Sequence, residues 1–483
     1  MDTTLKLPSD IDNLPKALAI IEDLGRVIGQ LQERIDALEA ENKRLRDHLH
    51  LDSHNSSLPP SSDQGRHQKA TRSLRQPSSR KPGGQDGHPG ATLIQRETPD
   101  HVVAHPVSVC AGCGQDLAAV PVTAVEKRQV FELPALKFEV TEHQADIKIC
   151  PQCAQETRGE FPLDVRQPVQ YGPRVKGFLV YLHHEQLVPY ERTTALVEDL
   201  LGQPVSQGTL LTVNHTCYEQ LASTETAIKH DIQQAAVAHF DETGLYEEGK
   251  RIWLHSASTP TGTSYFAHEK RGQDAMQAAG ILPQFQGIAV HDHWESYQAF
   301  EQWAHAFCNA HHLRELQRAI DQDETAWADE MKTLLLHIKE HVDAAKVAGQ
   351  RSLAADQIAA FQHRYRDIVD RALRPYLGEP TSTAPPKRGR TKQSKTKNLL
   401  DRLDRYQSET LRFLTDFRVP FDNNLAERDI RMTKVKQKIS GTFRSSEGTR
   451  YFCRIRGFIS TLKKQGRNIL EGLTQIFNTN QAV

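Results

Sequence analysis

The chain has 483 residues, 38% of them apolar and 25% charged, the make-up of a soluble protein long enough for several domains. No apolar run is long enough to span a bilayer, and the opening MDTTLKLPSD lacks the charged-then-apolar form of an export signal; the expected address is the cytoplasm, with no membrane partner. The formal charge is −1, yet Thr381 to Val483 holds 22 Lys and Arg against 9 Asp and Glu, a balance of +13 that leaves −14 elsewhere. Such asymmetry points to a polyanionic partner for the C-terminal part.

The first predicted element is a helix from about Leu18 to Leu49. Ile21, Ile28 and Ile35 fall at heptad position a, and Leu24, Leu31, Leu38 and Leu45 at d. Asn42 takes the next a position. Ile at a, Leu at d and one buried Asn favour a parallel two-stranded coiled coil, assigned to residues 1–52. The implied partner is a second copy, in a homodimer or a higher oligomer. An amphipathic helix docked on its own domain is the alternative. Residues 53–100 follow as a basic linker. It contains NSSLPPSSD and six Lys and Arg between Arg66 and Lys81, with no acid among them. Pro, Ser and Gly dominate, so disorder is expected, with the charge tracking phosphates or keeping a tether soluble.

Residues 101–160 carry two CxxC pairs, Cys110-Ala-Gly-Cys113 and Cys150-Pro-Gln-Cys153, 36 residues apart. Four thiolates satisfy one tetrahedral Zn²⁺. Gly112, Gly114 and Pro151 suit the tight turns. Phe138, Val140, Ala145, Ile147 and Ile149 show partial strand alternation. The expectation is a zinc-ribbon-like module with one structural zinc. Two unrelated thiol pairs or a redox site are the alternatives. Residues 161–234 read as helical. LVEDLLGQPVSQGTLLTVNHTCYEQL has two periodic segments around a break, with Ser206 as a cap. It resembles a helix-turn-helix in a helical DNA-binding region, but its second helix is poor in Arg and Lys, and helices that merely pack are an equal account.

In VAHFDETG, Asp241 is expected at the end of a short strand. Arg251–Ser258 and Ser264–Lys270 read as the next two strands, and a helix is expected near Asp274–Leu282. GIAVHDHW ends a buried strand at Asp292. Strand, strand, strand, helix, strand is the order of an RNase H-like fold. Side-by-side strands would bring Asp241 and Asp292 together. A long helical insertion, about 315–400, separates them from PFDNNLAERDIRMTKVKQKISG at Pro420–Gly441. There Asn423 and Asn424 stand at a helix N-cap, and Glu427 falls in the first turn. Arg431, Lys434 and Lys438 share its face. A solvated amphipathic helix is the plainer account of that stripe. Phosphodiester transfer, however, uses two divalent ions held by carboxylates, and here three acids are on offer.

These pieces resemble transposases of the insertion-sequence-66 family, within the DDE transposases and integrases. The resemblance rests on NSSLPPSSD, GGQDGHPG, both CxxC pairs, FDET, HDHWESY, CNAHHLREL and FDNNLAERDIRMTKVKQKISGTFRS, in order along nearly the whole chain. It implies a multidomain α/β protein with the coiled coil, the zinc module, the helical DNA-binding region and an RNase H-like catalytic core over 235–445. A C-terminal helical segment, 446–483, completes it. It implies Asp241, Asp292 and Glu427 as catalytic ligands of two Mg²⁺ or Mn²⁺. Lys434 would contact terminal DNA, with Arg431, Lys438 and Arg444 beside it. Cys308 and His311 match a C-x-x-H signature and read as core groups or neighbours of the triad. The implied activity is metal-dependent cleavage at transposon ends and strand transfer into target DNA, with accessory proteins of the same element as further partners. An inactive DNA-binding regulator and a simple metal-dependent nuclease are the rival readings.

Overall fold

A computed structural model describes residues 14–49, 93–323, 325–377 and 393–478. Most of the linker, including its basic run, lies outside the described residues, as does most of the basic stretch Pro385–Asn398. The described chain divides into two compact units. One takes in the N-terminal helix, His143–Leu196 and the described residues from Pro204 onward; the other holds the described residues from 93 to 142 together with Val197–Gln203.

The N-terminal helix α1 spans Leu14–Leu49. Its heptad residues Ile21, Ile28, Leu31, Ile35, Leu38 and Leu45 are all exposed, most of them by about half or more. Next come the short antiparallel pair β1 (Ile147–Ile149) and β2 (Glu156–Arg158). Of the partial alternation expected from Phe138 to Ile149, Ile147–Ile149 forms a strand; Phe138 to Ala145 does not, and Val140 is 84% exposed. Alternation without a burying surface does not specify a strand.

Four helices follow: α2 (Pro173–Val180), α3 (Tyr190–Leu201), α4 (Gln207–Gln220) and α5 (Ala222–Gln233). Ser206 caps α4 as expected, its hydroxyl accepting from Thr209 N–H at 3.0 Å. Leu210, Val213 and Cys217 on α4 are buried, and the helix packs on α2. A π-helical turn at Tyr181–Glu185 continues α2.

The core is a five-stranded mixed sheet. Its strands are β3 (Val237–Glu247), β4 (Lys250–Ser258), β5 (Thr263–His268), β6 (Ile288–His291) and β7 (Ala304–Phe307), in spatial order β5-β4-β3-β6-β7. β3, β4 and β5 form an antiparallel meander, while β6 and β7 add in parallel on the other side of β3. The helix α6 (Gln273–Ala279) sits in the crossover from β5 to β6. β7 escapes sequence reading because His305 interrupts its four residues, AHAF, whereas the equally short β6 shows three apolar residues in succession.

A helical segment follows β7, over the interval where an insertion is expected. It comprises α7 (Asn309–Asp323), α8 (Ala326–Val347), α9 (Ala355–Leu373), α10 (Lys395–Arg405) and the single turns α11 (Gln407–Thr410) and α12 (Arg412–Thr415). Leu313 and Leu316 of α7 pack with Ile288, Val290 and Ala306, so the insertion's core is continuous with β6 and β7. Three helices end the chain: α13 (Asn424–Ser440), α14 (Ser446–Lys464) and α15 (Ile469–Ile476). One face of the sheet buries Ala238, Phe240 and Ala257 against Ile232, Met276 and Phe285. The other buries Leu245, Leu254 and Tyr265 against Ile430, Phe443 and Phe452. Gly457 lets α14 lie close on β5, since a Cβ there would meet Thr263 O at 3.0 Å. No described helix is long and apolar enough to cross a membrane.

Candidate functional site

Strand alternation separates the two neighbouring acids of β3. His239 and Asp241 lie on the face covered by α13; Phe240 and Glu242 lie on the opposite one. Asp241 is not at a strand end, as the sequence suggests, because β3 runs on to Glu247 paired with β4. The parallel pairing with β6, however, reaches only His239–Val290. Asp241 therefore sits just where its parallel neighbour gives out. Asp292 follows β6 directly, and its Oδ1 accepts from Trp294 N–H at 2.9 Å, an Asx turn that fixes the loop.

Glu427 lies in the first turn of α13, where the helix dipole favours a carboxylate. The helix is pinned there by Asn423. Its Nδ2 donates to Phe240 O at 2.8 Å, its Oδ1 meets His239 Nδ1 at 2.9 Å, and its N–H reaches Cys308 Sγ at 3.1 Å. The side chain expected to cap α13 thus spends itself on β3; Asp422 Oδ1 takes the N–H of Asn424 instead, at 3.0 Å. Arg314 Nη2 and His311 Nδ1 approach Glu427 Oε1 at 3.6 and 3.8 Å.

Burial, then repulsion from Glu242, Asp292 and Glu427, pushes the Asp241 carboxyl well above its usual range. Burial also raises Glu427, against the pull of Arg314. The sheet therefore concentrates negative charge without enough protein cations to balance it, a donor set of hard oxygens suited to divalent cations. The acids are not drawn tightly together. Among the described residues, the group of three ligating side chains within 4.8 Å of one another is Cys308, His311 and Glu427.

Several residues here were missed from sequence. Glu242 accepts from Tyr297 OH at 2.6 Å and from Arg271 at 2.6 and 3.0 Å, and Arg271 in turn lies over Trp253 and Trp294. Asp429, two residues after Glu427, accepts from Ser258, Thr263, Ser460 and Lys464. The only sequence signal for either was a second acid beside the first.

Arg431, Lys434, Lys438 and Arg444 are all exposed. Lys434 also donates to Gly244 O at 2.6 Å, so it crosses to β3 near Asp241. The basic excess of the C-terminal part is only partly available to a partner. Arg454 pairs with Glu225, Arg456 and Lys463 with Glu185, and Lys464 with Asp429; those four charges hold α14 in place. Lys436, on the inner side of α13, is buried against Phe443 and Phe452, and burial lowers its pKa to about 8. Because the folded pKa lies below the unfolded one, folding carries a penalty below pH 8 that fades as pH rises from 8 to about 10.5. Lys436→Met is expected to stabilise by about 2 kcal/mol at pH 7 and by little at pH 10. Thermal melts of both proteins at the two pH values check this; equal gains would show that the amine is not buried as charge.

The CxxC turns repeat one design in separate units. Cys110 N–H donates to Gln115 O and Gly114 N–H to Cys110 O; Cys150 N–H donates to Gln155 O and Ala154 N–H to Cys150 O, all at 2.9–3.0 Å. Hydrogen bonds from Cys113 and Gly112 lower the Cys110 thiol pKa, and those from Cys153 and Gln152 lower that of Cys150. Amide donors aimed at a sulfur suit a thiolate that ligates a metal. Gly114 and Ala154 both hold positive φ, +74° and +53°. That conformation is natural for the glycine and strained for the alanine.

The fold and site are those of a mixed α/β protein that gathers acids beside an exposed basic helix. Comparison with known families names the group. The model described as Transposase IS66 family matches residues 168–451, more than half of the chain, and the chain belongs to that family. The membership implies DNA binding and suggests a DNA-processing enzyme. The zinc-finger binding domain of transposase IS66 matches residues 108–154. That match covers both CxxC turns and supports a structural zinc. Residues 8–93 match a family of unknown function, DUF6444. No curated protein matches the chain.

Proposed function

We propose that the protein is a DNA transposase with an RNase H-like core, in which Asp241, Asp292 and Glu427 hold two Mg²⁺ or Mn²⁺ ions. The observation that carries the reading is that β3, the loop after β6 and the first turn of α13 turn acids toward one region, and that burial and mutual repulsion raise Asp241 there. The strand order β5-β4-β3-β6-β7, a meander joined to two parallel strands, supports the RNase H-like assignment. Two such ions, when bound, supply an activated nucleophile and a stabilised leaving oxygen. The protein's own part is to hold charge and position. Asn423 and His239 fix α13 against β3, so Glu427 keeps its place relative to Asp241. The Asx turn at Asp292 holds the second acid. Arg431 and Lys434 bind phosphates or terminal bases, with Lys438 and Arg444 beside them. Water cuts the element end to expose a 3′-hydroxyl, which then attacks target DNA; no protein nucleophile is needed.

Cys110, Cys113, Cys150 and Cys153 are the proposed ligands of the structural zinc, in a module that serves recognition of the element ends. The test of the whole reading is Mg²⁺-dependent nicking of DNA carrying the element's own ends, then joining of a pre-cut end to a target plasmid. Nicking without joining would make it a nuclease, and binding without either a regulator.

The exposed heptad stripe of α1 is proposed to pair with that of a second copy. Leu31→Glu with Leu38→Glu is expected to convert a dimer to a monomer in light scattering at micromolar concentration, because two charges would enter the seam. A parent that is already monomeric sinks the coiled coil.

A further inference from the structure

Three side chains beside the acids converge as metal ligands do. Cys308 precedes α7, His311 lies three residues on, and Glu427 faces both from α13. One ligand atom from each lies within 4.8 Å of the other two. His311 Nδ1 and Glu427 Oε1 are 3.8 Å apart. Both atoms are shut off from water, yet neither has a hydrogen-bond partner. That separation is too long for a hydrogen bond. It is a few tenths of an ångström beyond the roughly 3.3–3.5 Å at which tetrahedral zinc, with bonds of about 2.0–2.2 Å, sets a nitrogen and an oxygen ligand, a gap that a small side-chain adjustment closes. Cys308 is 1% exposed, and its sulfur already accepts the Asn423 N–H at 3.1 Å, a donor that suits a metal thiolate.

The chemistry of the set selects the ion. Sulfur, imidazole and one carboxylate favour a borderline ion such as Zn²⁺ over Mg²⁺, which prefers oxygen and water. Three protein ligands leave a fourth position open, unlike the four-ligand closed pattern of a structural zinc. Arg314 competes for the same Glu427 oxygen at 3.6 Å, which limits affinity and keeps the site reversible.

We propose that Cys308, His311 and Glu427 form a second zinc site, and that zinc there and the hard cations at the acids exclude each other because both draw on Glu427. The zinc site stands on its own geometry; the exclusion rests on the role given to Glu427 above. Zinc would then act as a brake, withdrawing one acid from the triad.

The experiment is Zn²⁺ titration of the full chain against a chromophoric chelator, with zinc per chain counted after gel filtration. Two zinc ions are expected, one tight and one weaker. Cys308→Ser and His311→Ala should each weaken the weaker ion at least about tenfold and leave the tight one, whereas Cys150→Ser should remove the tight one. With Co²⁺ as the probe, Cys308→Ser should lose the thiolate charge-transfer band of the second equivalent while circular dichroism stays unchanged. A parent that takes one zinc, or variants that keep both, overturns the site. Millimolar Mg²⁺ should weaken only the second zinc; no change overturns the exclusion. Failure to cut DNA would count against the transposase reading and would leave these zinc counts as they are.

Discussion

Asp241→Asn and Glu427→Gln should each lower Mg²⁺-dependent cutting of element-end DNA about a thousandfold or more. On the proposed reading each removes one charge that would hold a cation, and such ions stabilise the transition state by several kcal/mol, with about 1.36 kcal/mol per factor of ten. Binding of the same DNA should stay near the parent's, because the proposed phosphate contacts are Arg431, Lys434 and Lys438 on the exposed side of α13 and Arg444 just after it. A second readout separates lost chemistry from lost fold. Burial and three neighbouring acids raise the Asp241 carboxyl above its usual range. A carboxyl raised on folding favours the fold while protonated, and that contribution is lost as pH rises through the raised value. At pH 7.5, without metal, Asp241 therefore strains the native state. Asp241→Asn should raise the melting temperature of the metal-free protein, by about 1 kcal/mol in stability, while abolishing the further rise that Mg²⁺ gives the parent. An unfolded variant would lose both cutting and stability. If Glu427→Gln cuts as well as the parent, the third acid lies elsewhere.

Much of this arrangement was legible in the sequence, for a physical reason. Strands and helices announce themselves by where apolar side chains recur, so the meander, the buried strand before Asp292 and the helix bearing Glu427 could be read directly. Ser206 could be read as a cap because that hydrogen bond is made within four residues. What could not be read depends on contacts between distant segments. Asn423 looks like a cap for α13, but its amide reaches Phe240 O, 183 residues away. Asp241 looks like the end of a strand because the apolar run stops there; the backbone continues because β4 supplies partners to Glu247. The basic excess looks like one surface for DNA, and only the ion pairs of α14 with Glu185, Glu225 and Asp429 show how much of it is internal. That Cys308 and His311 lie near Glu427 was implied only by the resemblance, which made them core groups or neighbours of the triad; spacing alone could not give it, since Asn423, whose N–H reaches Cys308, stands 115 positions further on.

The sharpest case is the pair Glu427 and Asp429, which the sequence cannot rank as acids of one helix. The structure separates them by what each touches. Asp429 Oδ2 accepts from Ser258 Oγ at 2.6 Å, Thr263 Oγ1 at 2.9 Å and Lys464 Nζ at 2.7 Å, and Oδ1 accepts from Ser460 Oγ at 3.3 Å. Tyr265 OH adds a bond to its backbone carbonyl at 2.9 Å. One carboxylate thus ties α13 to β4, β5 and α14, and its lone pairs are spent. Glu427 Oε1, by contrast, has no hydrogen-bond partner. Asp429→Ala should cost about 3–5 kcal/mol, because it leaves Lys464 as a buried charge without its counter-ion. Lys464 keeps bonds to Thr259 O and Gly262 O, which places the loss toward the lower end. Adding Lys464→Met should recover part of it, since an ion pair replaced whole by apolar groups is often neutral. Urea unfolding of the three proteins reads these differences. At a temperature where Asp429→Ala remains folded, it should still cut DNA, whereas Glu427→Gln should not. If Asp429→Ala is as stable as the parent but fails to cut, Asp429 is the metal ligand and Glu427 is the structural acid.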